Sequence, residues 1–120
     1  MGKLQDMLDK QRELQERLGY DIDNMSTEER TAFIKEFSIH LNNEMNELLY
    51  ELPYFKPWKD YDKETFEQIV ERFNKGRKEY IDMIHFMLNI ALALGLDEDD
   101  LYTMYMDKNK ENHDRQDRGY

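Results

Sequence analysis

Two pairs of acidic residues have the spacing that places carboxylates on one face of a helix. Glu44 and Glu47 lie three residues apart in one segment of helical pattern, and Glu79 and Asp82 repeat that spacing in another. If the two helices pack together, the four carboxylates converge on one small volume and need cations. Ligand sets made only of oxygen suit Mg²⁺. Because 37% of the chain is charged, the alternative to a metal site is that both acidic pairs lie on solvated helix faces.

The second acidic pair stands at the start of the most apolar stretch of the chain. From Ile81 to Leu96 the only polar residues before Gly95 are Asp82, His85 and Asn89, and polar groups in such a setting are costly to bury without partners. The stretch is too short to span a bilayer. We therefore predict a buried core helix.

Length and composition restrict the classes of protein to which this chain can belong. We expect residues 1–120 to form a single domain. A formal net charge of -10 argues against binding to a nucleic-acid duplex, and a chain without cysteine has neither disulfides nor a thiolate metal site. The N-terminal segment is amphipathic and highly charged, unlike a signal peptide. We expect a cytoplasmic protein with no membrane partner.

Apolar periodicity predicts an all-α fold of four or five helices. The first helix runs from Lys3 to Leu18, and Ser26 to Glu29 form a capping box that opens a second helix, which continues to Leu52. A third helix is expected from about Lys63 to Leu94, with a weak point at 74–76 that either interrupts it or is absorbed. Its predicted buried side comprises Phe66, Ile69, Val70 and Phe73. Asp97 caps a last helix that runs toward Lys108.

The C-terminal segment carries a resemblance to a known family. The pattern of Lys108-Asn109, Asn112, Arg115-Gln116 and Gly119-Tyr120, downstream of the two acidic pairs, resembles the dimeric dUTPases of the all-α NTP pyrophosphatase superfamily, which includes MazG-like enzymes. Three other segments match in the right order: LQERL near Leu14, the Trp-Lys loop at Pro57 to Lys59, and IDMIHF at Ile81 to Phe86.

The resemblance implies an enzyme and assigns its metal site. A helical bundle completed by dimerisation would hydrolyse dUTP, and on this likeness dUDP, to dUMP, with pyrophosphate as the product from dUTP. Glu44, Glu47, Glu79 and Asp82 would bind Mg²⁺, which neutralises the triphosphate and lowers the pKa of a water molecule. Glu44 would also act as general base, or else only as a ligand.

The resemblance also implies substrate contacts. Lys59, Lys108 and Arg115 would hold phosphate oxygens and stabilise the charge that grows on the leaving phosphate. Asn109 and Asn112 would contact phosphate or a metal-associated water, or alternatively cap a helix. The residues expected to line the pocket for the base and sugar are Gln15, Trp58, His85, Asn89 and Tyr120. The alternatives are an exposed position for Gln15, a core or interface position for Trp58, and a core position for His85.

One departure from the family pattern leaves the substrate open. Gly19 stands where the family commonly has Asn after the Leu-Gln pair, so dCTP or another, modified deoxynucleotide is an alternative to dUTP. The chain is also shorter than many members, as in a compact phage or bacterial version with a helix supplied by a neighbouring subunit. A rival of another class is a non-catalytic helical interaction module, which eight methionines and high charge would suit.

Overall fold

The computed structural model describes residues 2–52, 58 and 63–119. These residues contain no strand and form four α-helices and one 3₁₀ turn. The predicted all-α fold is confirmed. The helices are α1 (Lys3–Arg17), α2 (Thr27–Glu51), α3 (Phe66–Ala93) and α4 (Glu98–Asp117), and the turn spans Ile22–Asn24.

Each of the three later helices begins with a capping box. The predicted box at Ser26 and Glu29 is present, and Thr65 with Gln68 and Asp97 with Asp100 form two more. The expectation that the third helix begins near Lys63 is therefore wrong by three residues, because Thr65 is the N-cap and the helix begins at Phe66. The last helix also continues well past Lys108, to Asp117.

The core lies where α1 and the 3₁₀ turn cover one end of the α2–α3 pair. Buried apolar residues from all four elements meet there, among them Leu8, Ile22, Phe33, Phe37 and Leu92. Arg30 of α2 closes this end, since its guanidinium donates to the carbonyls of Ala93 (2.8 Å) and Ile22 (3.0 Å). Within the apolar stretch from Ile81 to Leu96, residues 88–93 are largely buried as predicted, whereas Ile81, Met87 and Leu94 are exposed.

The weak point at 74–76 is absorbed without a break in α3. Gly76 is buried against α2, and a Cβ at this position would lie 3.3 Å from Cδ1 of Leu48. The glycine thus permits the two long helices to approach closely. Ile69, two turns earlier, shares that face.

The predicted buried side of the third helix is largely wrong. Phe66, Val70 and Phe73 are exposed, with Phe66 79% accessible. The face of α3 that meets α2 runs through Ile69 and Gly76, so these three side chains stand beside it and face solvent.

Within the described residues, no single helix has both the length and the apolar composition needed to cross a membrane. Only the pair α3 and α4, which is bent by 101°, meets those criteria when its two helices are combined.

Candidate active site

An acidic cluster forms where α2 and α3 approach each other. One carboxylate oxygen from each of Glu44, Glu79 and Asp82 lies within 4.8 Å of the other two. Glu44 and Glu79 are partly buried, whereas Asp82 is exposed. The close contact between Gly76 and Leu48 lies one turn away on both helices and sets the separation of these side chains. The spacing in sequence and the packing of two helices thus bring together three of the four predicted carboxylates.

The fourth carboxylate, Glu47, lies beside the cluster. It is exposed and is not one of the three whose oxygens converge. Its charge and its hydrogen bonds nevertheless contribute to raising the pKa of both Glu44 and Glu79, so Glu47 borders the cluster.

The carboxylates repel one another enough to hold a proton between them. Burial, a hydrogen bond with Glu79 and the charges of Glu47 and Asp82 together raise the pKa of Glu44 to about 7. The hydrogen bond with Glu44 lowers the pKa of Glu79, but burial and the neighbouring carboxylates outweigh it, and the net direction is upward. A metal-free cluster therefore carries a proton near neutral pH.

The donor atoms of the cluster fit a hard divalent cation. Oε2 of Glu44 and Oε2 of Glu79 are both buried and have no hydrogen-bond partner among the described residues. Buried carboxylate oxygens without partners are costly, and a cation would satisfy both. A set of carboxylate oxygens on two helices suits Mg²⁺ or a similar ion better than it suits zinc.

A polar network whose members Gln11 and Asn89 are buried connects α1 to α3. Nε2 of Gln11 donates to Oδ1 of Asn89 at 2.6 Å, and Oε1 of Gln11 lies 2.7 Å from Nδ1 of His85. Asn89 is 1% exposed. Asn89 and His85 were singled out in the sequence, whereas their partner Gln11 was missed. The feature of the sequence that could have indicated Gln11 is its helical spacing from Leu8 and Gln15, which places the three residues on one face of α1.

Gln15 is buried, so the alternative of an exposed helix residue is wrong. It is 3% exposed, and its Oε1 has no partner among the described residues. Gln11 pairs with Asn89 of α3, and Gln5 pairs with Glu98, which lies just beyond the end of α3, so α1 and α3 run antiparallel. Gln15 is one turn beyond Gln11 and therefore lies toward the Asp82 end of α3.

His85 and Trp58 are both accessible to solvent. His85 is exposed at its edge and borders an apolar hollow of about 280 Å³ between α1 and α3, together with Leu14 and Ile81. Trp58 is 78% exposed, so it is not a core residue of this chain.

The predicted phosphate-binding residues of α4 lie on a different helix from the acidic cluster. Lys108, Asn109, Asn112 and Arg115 all lie inside this helix, which contains no buried residue. Helix C-capping by the two asparagines is therefore wrong, because α4 continues to Asp117. Lys59 and Tyr120 lie outside the described residues.

Comparison with known proteins gives a family match over nearly the whole chain. A family model described as dUTPase matches residues 3–98 and 87–120. A protein of Enterobacteria phage T4 named dCTP pyrophosphatase is 31% identical over 140 residues, which cover 98% of this chain and 82% of the phage protein. A protein of Enterobacteria phage LZ5 with the same name is 32% identical over 141 residues, with the same two shares. No solved structure matches the chain.

Proposed function

Because the chain belongs to the dUTPase family and is a nucleoside triphosphate pyrophosphohydrolase, we propose that it hydrolyses a pyrimidine deoxynucleoside triphosphate to the monophosphate and pyrophosphate, with Mg²⁺ as cofactor. The observation that carries the proposal is the convergence of Glu44, Glu79 and Asp82, where two buried carboxylate oxygens have no hydrogen-bond partner among the described residues. We assign the reaction to the cytoplasm, where the deoxynucleotide pool would be its source of substrate.

The names of the relatives favour dCTP as the first substrate. Two phage proteins that align with 98% of this chain are named dCTP pyrophosphatase, whereas the family model is described as dUTPase. Cytosine and uracil share ring size and shape and differ in the donors and acceptors at positions 3 and 4. We therefore propose dCTP first and dUTP second.

In this proposal the acidic cluster holds the metal and orients the attacking water. Glu44, Glu79 and Asp82 are the ligands, and Glu47 supplies a further carboxylate at the edge of the site. When bound, Mg²⁺ supplies Lewis acidity that neutralises triphosphate charge and activates water. Glu44 would also take the proton from the attacking water as the bridge between the α- and β-phosphates is cleaved.

Gln15 is the proposed contact to the base. Its Oε1, which has no partner within the described part of the chain, can accept a hydrogen bond from the exocyclic amine of cytosine or from N3–H of uracil. His85 and Asn89, linked through Gln11, would then hold this part of α1 against α3. Trp58 is proposed to cover the base or sugar, and Lys59 and Tyr120 remain proposed substrate contacts.

Product analysis with a panel of nucleotides tests the proposal. The purified chain is incubated with dCTP, dUTP, dTTP, dATP or dGTP in Mg²⁺, with EDTA as control, and the monophosphate and pyrophosphate are measured. We expect release from dCTP and dUTP, and none in EDTA. Turnover confined to purine nucleotides would contradict the substrate class, and no turnover of any nucleotide would favour the non-catalytic interaction module.

A further inference from the structure

A cluster of aromatic rings lies one helical turn away from the acidic cluster. His40 of α2 stands four residues before Glu44, and Phe86 of α3 stands four residues after Asp82. The ring centroids of His40 and Phe86 are 5.7 Å apart, and these rings lie 5.4 and 5.7 Å from that of Phe37. Residues four apart share a face of a helix, so both rings stand on the faces that carry the carboxylates, about 6 Å further along.

The imidazole of His40 can be reached by a ligand. Its side chain is 45% exposed, whereas Phe37 beneath it is buried. Within the described part of the chain this imidazole makes no hydrogen bond. Its polar contact is with Oε1 of Glu36, which lies 3.6 Å from Nε2, too far for a hydrogen bond. A ring nitrogen of His40 can therefore bond to a substrate without breaking a contact of the fold.

The aromatic rings connect the acidic cluster to the part of α1 that carries Gln15. The backbone N–H of Tyr20 donates to the carbonyl of Gln15 at 2.9 Å. The ring of Tyr20 lies 6.3 Å from that of Phe37, which in turn contacts His40. In a nucleotide the sugar joins the α-phosphate to the base. If the phosphates are held at the acidic cluster and the base reaches Gln15, the sugar passes the ring of His40.

An imidazole beside a hydrocarbon ring suits deoxyribose. The sugar of a deoxynucleotide has a single free hydroxyl, at C3′, because C2′ carries only hydrogen. A hydroxyl that is buried without a hydrogen-bond partner is costly, and an imidazole nitrogen can either donate or accept such a bond. Phe37 and Phe86 have no polar side-chain atom, so the nitrogen atoms of His40 are the polar atoms that these three side chains offer.

The geometry points to His40 as a substrate-binding residue that holds the 3′-hydroxyl of the deoxyribose. This inference rests on the proposed function, which places the phosphates at the acidic cluster and the base at Gln15. A 2′,3′-dideoxynucleotide keeps the same phosphates and base but lacks this hydroxyl. The contact with His40 therefore makes the protein favour a deoxynucleotide over its dideoxy form.

Kinetics with dCTP and 2′,3′-dideoxy-CTP test the contact. We expect the wild type to favour dCTP by about tenfold in kcat/KM, as one hydrogen bond would give. His40→Phe keeps an aromatic ring but removes both nitrogens, so it should lose this factor on dCTP alone and show no preference. His40→Gln, which restores a polar group, should regain part of the preference. His113→Phe on exposed α4 is the matched control and should behave as the wild type.

The ratio between the two substrates separates binding from packing. If His40 only supported the fold, His40→Phe would impair both substrates equally and the preference for dCTP would persist, which would overturn the inference. A wild type without any preference would overturn it as well. Circular dichroism checks that the variants are folded.

Calorimetry gives the same comparison without turnover. The ligands are α,β-imido analogues of dCTP and of 2′,3′-dideoxy-CTP, which cannot be cleaved between the α- and β-phosphates, and both are titrated in Mg²⁺. We expect the wild type to bind the deoxy form more tightly and His40→Phe to bind both equally. A wild type that hydrolyses dCTP but binds both analogues equally would overturn this inference alone. A wild type that neither hydrolyses nor binds nucleotides would overturn the proposed function as well.

Discussion

At the scale of single residues, spacing predicted the acidic cluster but not the polar contacts around it. The proximity of Glu44 and Glu79 could be predicted from the sequence, because each belongs to a pair of acidic residues three positions apart on a helix. When two such helices pack together, few arrangements bring the two acidic pairs into contact. Gln11 could not be found in this way, since its partner Asn89 is 78 positions distant. Nor did the sequence show that Gln15 is buried.

Gln15 gives a prediction that separates a role in binding from a role in stability. Gln15→Leu removes a buried acceptor without a partner, so the free energy of unfolding should be unchanged or higher. KM for dCTP should rise by about tenfold if one hydrogen bond to the base is lost. Gln11→Leu is the control: it breaks bonds to Asn89 and His85 and should lower stability by about 1–3 kcal/mol. A Gln15→Leu variant with unaltered KM would contradict the base contact.

The raised pKa of Glu44 predicts how stability depends on pH in metal-free protein. Folding raises this pKa from its ordinary value of 4.5 to about 7, so the folded state binds more protons than the unfolded state between these values. The free energy of unfolding should therefore decrease as pH rises from 4.5 to 7. Urea denaturation in EDTA measures it, and Glu44→Gln should flatten this part of the profile. An identical profile in both proteins would count against the shared proton.

At the scale of helices, boundaries were predicted well where capping residues are present. Ser26 and Asp97 were identified as caps, whereas the equivalent box of Thr65 and Gln68 was overlooked. Which face of α3 is buried could not be read from its sequence, because apolar residues occur on more than one side. The contact between Gly76 and Leu48 identifies the face of α3 that packs against α2.

Gly76 controls the separation of α2 and α3 and hence of the acidic side chains. Gly76→Leu should overpack this contact, cost about 1–3 kcal/mol of stability and weaken Mg²⁺ binding by moving Glu44 away from Glu79. Gly76→Ala is the matched control: its Cβ needs only a small shift of the flexible Leu48 side chain, and alanine favours a helix by about 1 kcal/mol over glycine. Thermal unfolding and Mg²⁺ titration measure both effects. Equal Mg²⁺ affinity in the two variants would contradict this account.

At the scale of the whole molecule, the chain by itself is too open to bury its apolar surface. Its Cα radius of gyration is 18.4 Å, whereas a compact domain of this length has about 14 Å. The sequence predicted a bundle of helices completed by dimerisation, and it associated Lys108 and Arg115 with the acidic residues by family likeness. It could not show that α4 leaves at a bend of 101°, because the direction of a helix after a short turn depends on tertiary contacts.

The most direct test of the central claim compares two substitutions on the same helix. Glu79→Gln removes a proposed metal ligand, and Glu71→Gln removes an exposed carboxylate two turns earlier that pairs with Lys75. Hydrolysis of dCTP and dUTP in Mg²⁺ is measured for both variants and the wild type. We expect Glu79→Gln to reduce activity by more than about 100-fold, since even residues that support metal ligands contribute up to that factor. Glu71→Gln should retain wild-type activity. Comparable activity in Glu79→Gln and the wild type would contradict the assignment of this cluster as the active site.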